Sequence, residues 1–277
     1  MDPIRIIRCF PRARHLAIYM ICLLIALNSS TRLFAQISPP GLSDTRVSSW
    51  MAVGLDQSLD KDQSWQSFSY IGYGFMSNPA GVYNLFEKPS MMIVNQEIKR
   101  KLTDHFSATG ALSYRWQYRY QDAKPFHKAD PSSKKEFRIY GKLSYNWKTD
   151  KIKWNIDFRP EYRKFFLPSF DGETPRNALR ARFKLKSTIP LANNNCHFLI
   201  LSAESLFQNE KVLPLGQDKG DWTGFFYDDS RFCLYYRYAP AGWPVYGEIG
   251  YMNNLAGKSP TISMHHIGLD IVFKDLF

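Results

Sequence analysis

Hydroxyls, imidazoles and acids decide which chemistry is open to this chain. Hydrolysis by a nucleophile needs a Ser or Thr hydroxyl beside a His that an acid or amide orients. After residue 36 the chain offers His105, His127, His197, His265 and His266. His105 and His197 fall at tight polar turns, and His127 lies in a polar stretch. Ser263, His265 and His266 lie together, and in an extended chain Ser263 and His265 share a face. They form a weak catalytic candidate of the kind a lipid hydrolase would use; a polar strand end explains them equally well. Metal-ligand spacing, a phosphate-cradling glycine loop and a Gly-x-Ser-x-Gly element are all lacking, so no cofactor or metal is expected.

A second group is purely ionic. Glu136, Arg138, Arg159, Glu161, Arg163, Arg180, Arg182, Glu204, Arg231 and Glu248 recur at alternate positions of successive segments. On one side of a closed sheet they can plug the interior as a charge-paired network, or line an anion-permeable passage.

Period-two alternation is what positions both groups. Ile152–Phe166 reads IKWNIDFRPEYRKFF. One parity holds Ile152, Trp154, Ile156, Phe158 and Tyr162; the other holds Lys153, Asn155, Asp157, Arg159, Glu161 and Arg163. Leu179–Lys186, Phe106–Arg119 and Glu136–Trp147 repeat the pattern. Weaker copies run over Met91–Leu102, His197–Gln208, Arg231–Tyr238, Trp243–Asn253 and Ile262–Phe273, with early candidates at Trp50–Leu59 and Phe68–Phe75. The segments exceed the ~5–6 residues usual in globular proteins and suit the ~9–11 of a tilted membrane strand. Trp, Tyr and Phe crowd the ends of their apolar parity, as interfacial girdles do.

Connections alternate between tight (LTDHF, KTDK, LANNNC, APAGW) and long and polar (119–135, 166–178, 208–230), the rhythm of periplasmic turns and extracellular loops. A soluble periplasmic β-sandwich also alternates, but lacks that rhythm. The candidates number eleven, whereas single-chain bacterial barrels have even counts. If the last strand ends in the periplasm, Trp50–Leu59 would have to start outside the cell. A ten-strand barrel without it is therefore expected, with twelve as the alternative if a strand lies in Gly81–Ser90.

The first residues address the chain. Arg5, Arg8, Arg12 and Arg14 precede an apolar run, Leu16–Leu27, and Leu33-Phe34-Ala35 closes the stretch. These are the parts of a secretory signal peptide, and the run is too short for a ~20-residue membrane helix. Cys22 lies inside the apolar run instead of after it, which speaks against a lipoprotein anchor. Cleavage after Ala35 takes five arginines and one aspartate, lowering the formal net charge from +11 to +7. The excess positive charge of an exported chain points to lipopolysaccharide phosphates and outer-membrane lipid, and away from nucleic acid. Cys196 and Cys233 remain, and no disulfide is expected between them.

The expected fold is all-β: an antiparallel transmembrane β-barrel over residues 49–277, behind a signal peptide (1–35) and a periplasmic lead-in (36–48). C-terminal Phe277 would serve recognition by the barrel-assembly machinery. EFR (136–138), RPEYR (159–163), RAR (180–182), AESLF (203–207), DSR (229–231) and GEIGY (247–251) fall on successive strands. Over Trp50–Phe277 this series resembles an uncharacterised Bacteroidetes-type family of outer-membrane barrels, domain of unknown function 2490. The resemblance implies a barrel in the outer membrane of a Gram-negative cell and no activity. A non-enzymatic barrel with a charge-plugged lumen is the leading expectation, with Glu210–Tyr227 as its binding loop. A small anion-permeable channel and a lipid hydrolase are the alternatives.

Overall fold

The computed structural model describes residues 46–77, 83–121, 124–166, 176–193, 195–212, 220–257 and 261–276. The expected signal peptide, most of the expected lead-in and Phe277 lie outside the described residues. β1 (Val47–Ser58), β2 (Trp65–Met76), β3 (Lys88–Lys101) and β4 (Phe106–Tyr120) come first. β5 (Lys128–Thr149), β6 (Ile152–Phe166), β7 (Asn177–Pro190) and β8 (His197–Val212) follow. β9 (Asp221–Trp222), β10 (Phe226–Tyr238), β11 (Val245–Ala256) and β12 (Ile262–Lys274) complete the order, and no helix occurs among the described residues.

Eleven of these strands close a barrel. Each long strand is antiparallel to the next, β8 pairs with β10, and β12 returns to β1. β9 stands outside the ring, pairing Trp222 with Lys211 and Asp221 with Val212 at the end of β8. The expectation of ten strands, and its alternative of twelve, is thereby corrected to eleven. Trp50–Leu59, which the even-count rule set aside, is β1; among the described residues of Gly81–Ser90 only Lys88–Ser90 are strand, and they begin β3. Successive hairpins reverse direction, so an odd ring must bring its first and last strands together in the same sense. β1 and β12 do so through a parallel ladder from Val47↔His265 to Asp56↔Lys274. The all-antiparallel expectation fails at that seam. An odd count is otherwise known from a mitochondrial barrel.

The seam also orders the ends. Arg46 and the connections following β2, β4, β6, β8 and β11 share one end; the connections following β1, β3, β5, β7 and β10, and Lys274, share the other. β1 begins at Val47, two residues before the expected start of the barrel at 49. The turn ending β5 is tight enough to force Asp150 to positive φ (49°), which Asp tolerates better than most side chains. In the β1–β2 turn Asp60 accepts hydrogen bonds from the Ser64 hydroxyl and, at 3.0 Å, from the Trp65 amide. Those donors hold its carboxyl below the usual aspartate range. The long polar link expected over 119–135 is also corrected: β5 starts at Lys128 and pairs back onto β4 (Tyr120↔Lys128, Tyr118↔Ser133). Beyond the barrel rim a ladder needs no apolar parity, so alternation could not reveal it.

Facing follows parity. On β6, Asn155, Glu161, Arg163 and Phe165 are buried, while Ile156, Phe158, Tyr162 and Phe166 are exposed. Exposed apolar side chains continue around the wall, among them Val53, Ile71, Val94, Leu112, Ile139, Leu143, Leu185, Leu234, Ile249 and Leu269. Aromatic rings gather at both rims: Phe106, Tyr145, Trp147 and Trp154 by the tight turns, Tyr114 and Trp116 by the long loops. From Trp154 to Tyr162 the chain covers roughly 27 Å, or roughly 20 Å along the axis of a barrel with ordinary strand tilt.

Inside, glycines let large rings lie flat on the wall. A Cβ at Gly72 would stand 2.1 Å from Trp50 Cζ2, and one at Gly250 would stand 2.3 Å from Tyr235 Cγ. Tyr235 reaches on to Gly268, where its hydroxyl lies 2.7 Å from the Cβ position. These positions are closed to any side chain while the rings stay in place.

Candidate functional site

The chemistry-bearing residues converge on the lumen. Strand alternation points one parity of every strand there, and all ten charges picked out by parity lie on that parity, nine of them buried and Arg159 partly so. Register then creates a conflict. Arg138 on β5 stands directly opposite Arg163 on β6, and Arg159 on β6 directly opposite Arg182 on β7. Like charges so placed destabilise a sheet.

One glutamate answers each opposed pair. Glu136 Oε1 accepts from Arg138 Nε and Arg163 Nε, both at 2.5 Å. Its Oε2 lies 2.5 Å from Arg115 Nη2 and 3.2 Å from the Nη2 atoms of both other arginines. Glu161 Oε1 sits 2.7 Å from Arg159 Nε and 3.3 Å from Arg182 Nη1. Glu204 carries the chain onward, 3.4 Å from Arg182 and 3.6 Å from Arg231, which also donates to Asp229 at 3.1 Å. On β10 and β11 Arg237 pairs with Glu248, its direct cross-strand neighbour.

Further residues complete the network. Gln208 Oε1 accepts from Arg163 Nη1 and Arg180 Nη2 at 2.5 Å, and Arg180 also donates to Asp228 at 2.7 Å. Glu97 accepts from Lys142 at 2.8 Å and from the Tyr140 hydroxyl at 2.7 Å, and the Arg159 guanidinium lies 3.4 Å from the Tyr140 ring centre. Asp270 is fully buried and directly opposite Glu248. Sequence reasoning missed these partners. Arg115 and Arg237 were within its reach, since both lie on the inward parity of segments already assigned. Gln208 and Asp228 carried no signal: one is uncharged, and the other fell in the expected 208–230 link, although β10 begins before it and brings it to Arg180.

The hydroxyl–imidazole candidates separate. Ser263 and His265 face outward and are exposed, whereas His266 is buried and its Nδ1 hydrogen-bonds the Ser48 hydroxyl across the parallel seam. The Tyr251 hydroxyl meets His265 Nδ1 at 2.6 Å, and Asn253 Nδ2 donates to Ser263 Oγ at 2.8 Å. His265 is thus oriented by a phenol rather than an acid, and Ser263 is held by an amide. Cys196 and Cys233 are both buried free thiols. Among the described residues no group of three or more His, Cys, Asp or Glu side chains could hold a metal ion.

In the expected loop Glu210–Tyr227, the described part holds β9 and exposed rings at Trp222, Phe225, Phe226 and Tyr227; residues 213–219 lie outside the described residues. Among curated proteins nothing matches the chain. Residues 47–264 match the family model described as a protein of unknown function, DUF2490. That match runs from the first residue of β1 into β12 and takes in every charge of the lumen network but Asp270, so the chain belongs to the DUF2490 family.

Proposed function

We propose that this chain is an exported, non-enzymatic barrel of the outer membrane whose interior is plugged by its ion pairs and whose long-loop end is a binding surface. One observation carries the reading: the barrel is apolar outside and ionic inside. A soluble protein seldom exposes contiguous apolar surface beyond a few hundred Å², yet here the wall is apolar between two aromatic rims. Each Arg or Lys turned to the bilayer midplane would cost ~2–4 kcal/mol, which fixes the charges on the inside. There, arginines from β4 to β10 are interlocked by glutamates at contact distance, which supports a bore closed by its side chains. Eight-stranded barrels have interiors that side chains just fill, and eleven strands are only modestly wider.

A small anion-permeable channel is the second reading, favoured by the surplus of arginines around Glu136. Planar-bilayer recording of the purified chain separates the two. A closed, silent barrel is expected. Discrete conductance steps that disappear on neutralising Arg159, Arg180 and Arg182 would overturn the plugged reading. Recovery of the chain from the soluble periplasm, instead of the outer-membrane fraction with heat-modifiable migration, would overturn the membrane reading itself.

A further inference from the structure

We propose that the outer wall of β5–β9, at the long-loop rim, is a binding site for the phosphorylated headgroup of a membrane lipid. The inference rests on the membrane reading above and adds a ligand class and its residues. Three lysines far apart in sequence meet there. Phe137 on β5 stands opposite Lys164 on β6, Lys164 opposite Asn177 on β7, Asn177 opposite Lys211 on β8, and Lys211 opposite Trp222 on β9. All share the outward parity, so they form one row on the wall. Lys164 and Lys211 are two strands apart, or roughly 10 Å. Lys135 lies one row nearer the rim, between Trp116 and Phe166.

Depth and charge name the ligand. The lysines stand among Tyr114, Trp116, Phe137, Phe166 and Trp222, and such aromatic belts sit at headgroup level. Lys164 lies over the Phe166 ring at 5.4 Å, and the Tyr162 hydroxyl holds Asn177 in the row at 2.6 Å. Of the acids nearby, Glu210 and Glu136 take the inward parity, Asp228 is tied to Arg180, and Asp221, opposite Val212, takes the parity opposite to Trp222. Among the described residues no carboxylate shares these outward rows. Three ammonium groups whose rows hold no carboxylate among the described residues, set in an aromatic belt, are complementary to a phosphorylated headgroup, which lysine engages as a point charge.

The test uses the full chain, purified in detergent, with diphosphoryl lipid A and its phosphate-free form as probes, read by native mass spectrometry. The wild type is expected to favour the diphosphoryl form by tenfold or more. The combined variant Lys135→Gln, Lys164→Gln and Lys211→Gln should lose most of that preference, roughly ten- to hundredfold for three charges near an anionic surface. Lys148→Gln with Lys151→Gln, at the opposite rim, should retain it. Heat-modifiable migration shows that each variant is folded. Equal binding of the two lipid forms by the wild type, or an unchanged preference in the triple variant, would overturn the site. So would displacement of the lipid by inorganic phosphate at equal concentration, which would assign the site to free anion. A wild type that never folds into detergent or lipid would overturn the membrane reading and this inference together.

Discussion

Glu136→Gln is the sharpest perturbation of the lumen. The substitution keeps shape and removes one charge from a carboxylate that touches Arg115, Arg138 and Arg163 within 2.5 Å each. Arg138 and Arg163 are direct cross-strand neighbours, so their repulsion is then unopposed. Removing one partner of a buried ion pair costs ~3–5 kcal/mol, and three arginines lose their shared partner at once. Arg163 keeps Gln208 as an acceptor at 2.5 Å, which offsets part of the loss. The expected destabilisation is therefore ~3–5 kcal/mol, roughly two to four decades in the folding equilibrium. Glu161→Gln should cost less, because its second arginine lies at 3.3 Å and its contacts lack hydrogen-bond geometry. Tryptophan fluorescence during urea unfolding in lipid vesicles measures both. Combining Glu136→Gln with Arg115→Met should recover part of the loss, since it also removes one of the stranded cations. A change below ~1 kcal/mol for Glu136→Gln, or a larger cost for Glu161→Gln, would refute the bridging role.

Three other outcomes are expected. In a background lacking Cys196 and Cys233, cysteines at Arg46 and His127 should react with an impermeant thiol reagent from the same side of sealed vesicles, and one at Asp150 from the other; labelling of Arg46→Cys with Asp150→Cys would break the eleven-strand closure. Gly72→Ala should destabilise the barrel by ~1–3 kcal/mol, because its methyl overlaps Trp50, while Gly110→Ala, which meets nothing within 4 Å, should stay within ~0.5 kcal/mol in the same unfolding assay. Ser263→Ala and His265→Ala should leave the cell's lipid profile unaltered; accumulation of an acylated lipid in either variant would revive the hydrolase reading.

Much of the strand layout is local and was legible. Alternation is a property of the chain itself, so Ile152–Phe166 marks β6 to the residue, and of its inward charges Glu161 and Arg163 are buried and Lys153, Asp157 and Arg159 half-buried. Each of the eleven alternating segments is a strand, because strands of 12 residues or more carry enough positions for parity to declare itself. Where the pattern stops, so does legibility: β5 reaches back to Lys128 through Pro131 and Ser132, where no apolar face is needed.

Closure belongs to the ring alone. Whether Trp50–Leu59 spans depends on what β12 finds beside it, and no residue of β1 announces a parallel partner more than two hundred positions away. The meetings of side chains have the same origin. Sequence placed Glu136 and Arg138 on one face; register across β4, β5 and β6 brought Arg115 and Arg163 to the same carboxylate. It likewise set Lys164 and Lys211 in one row with Trp222. Facing is fixed by a period of two within a strand. Neighbours are fixed by how many residues each turn consumes and by where the sheet meets itself.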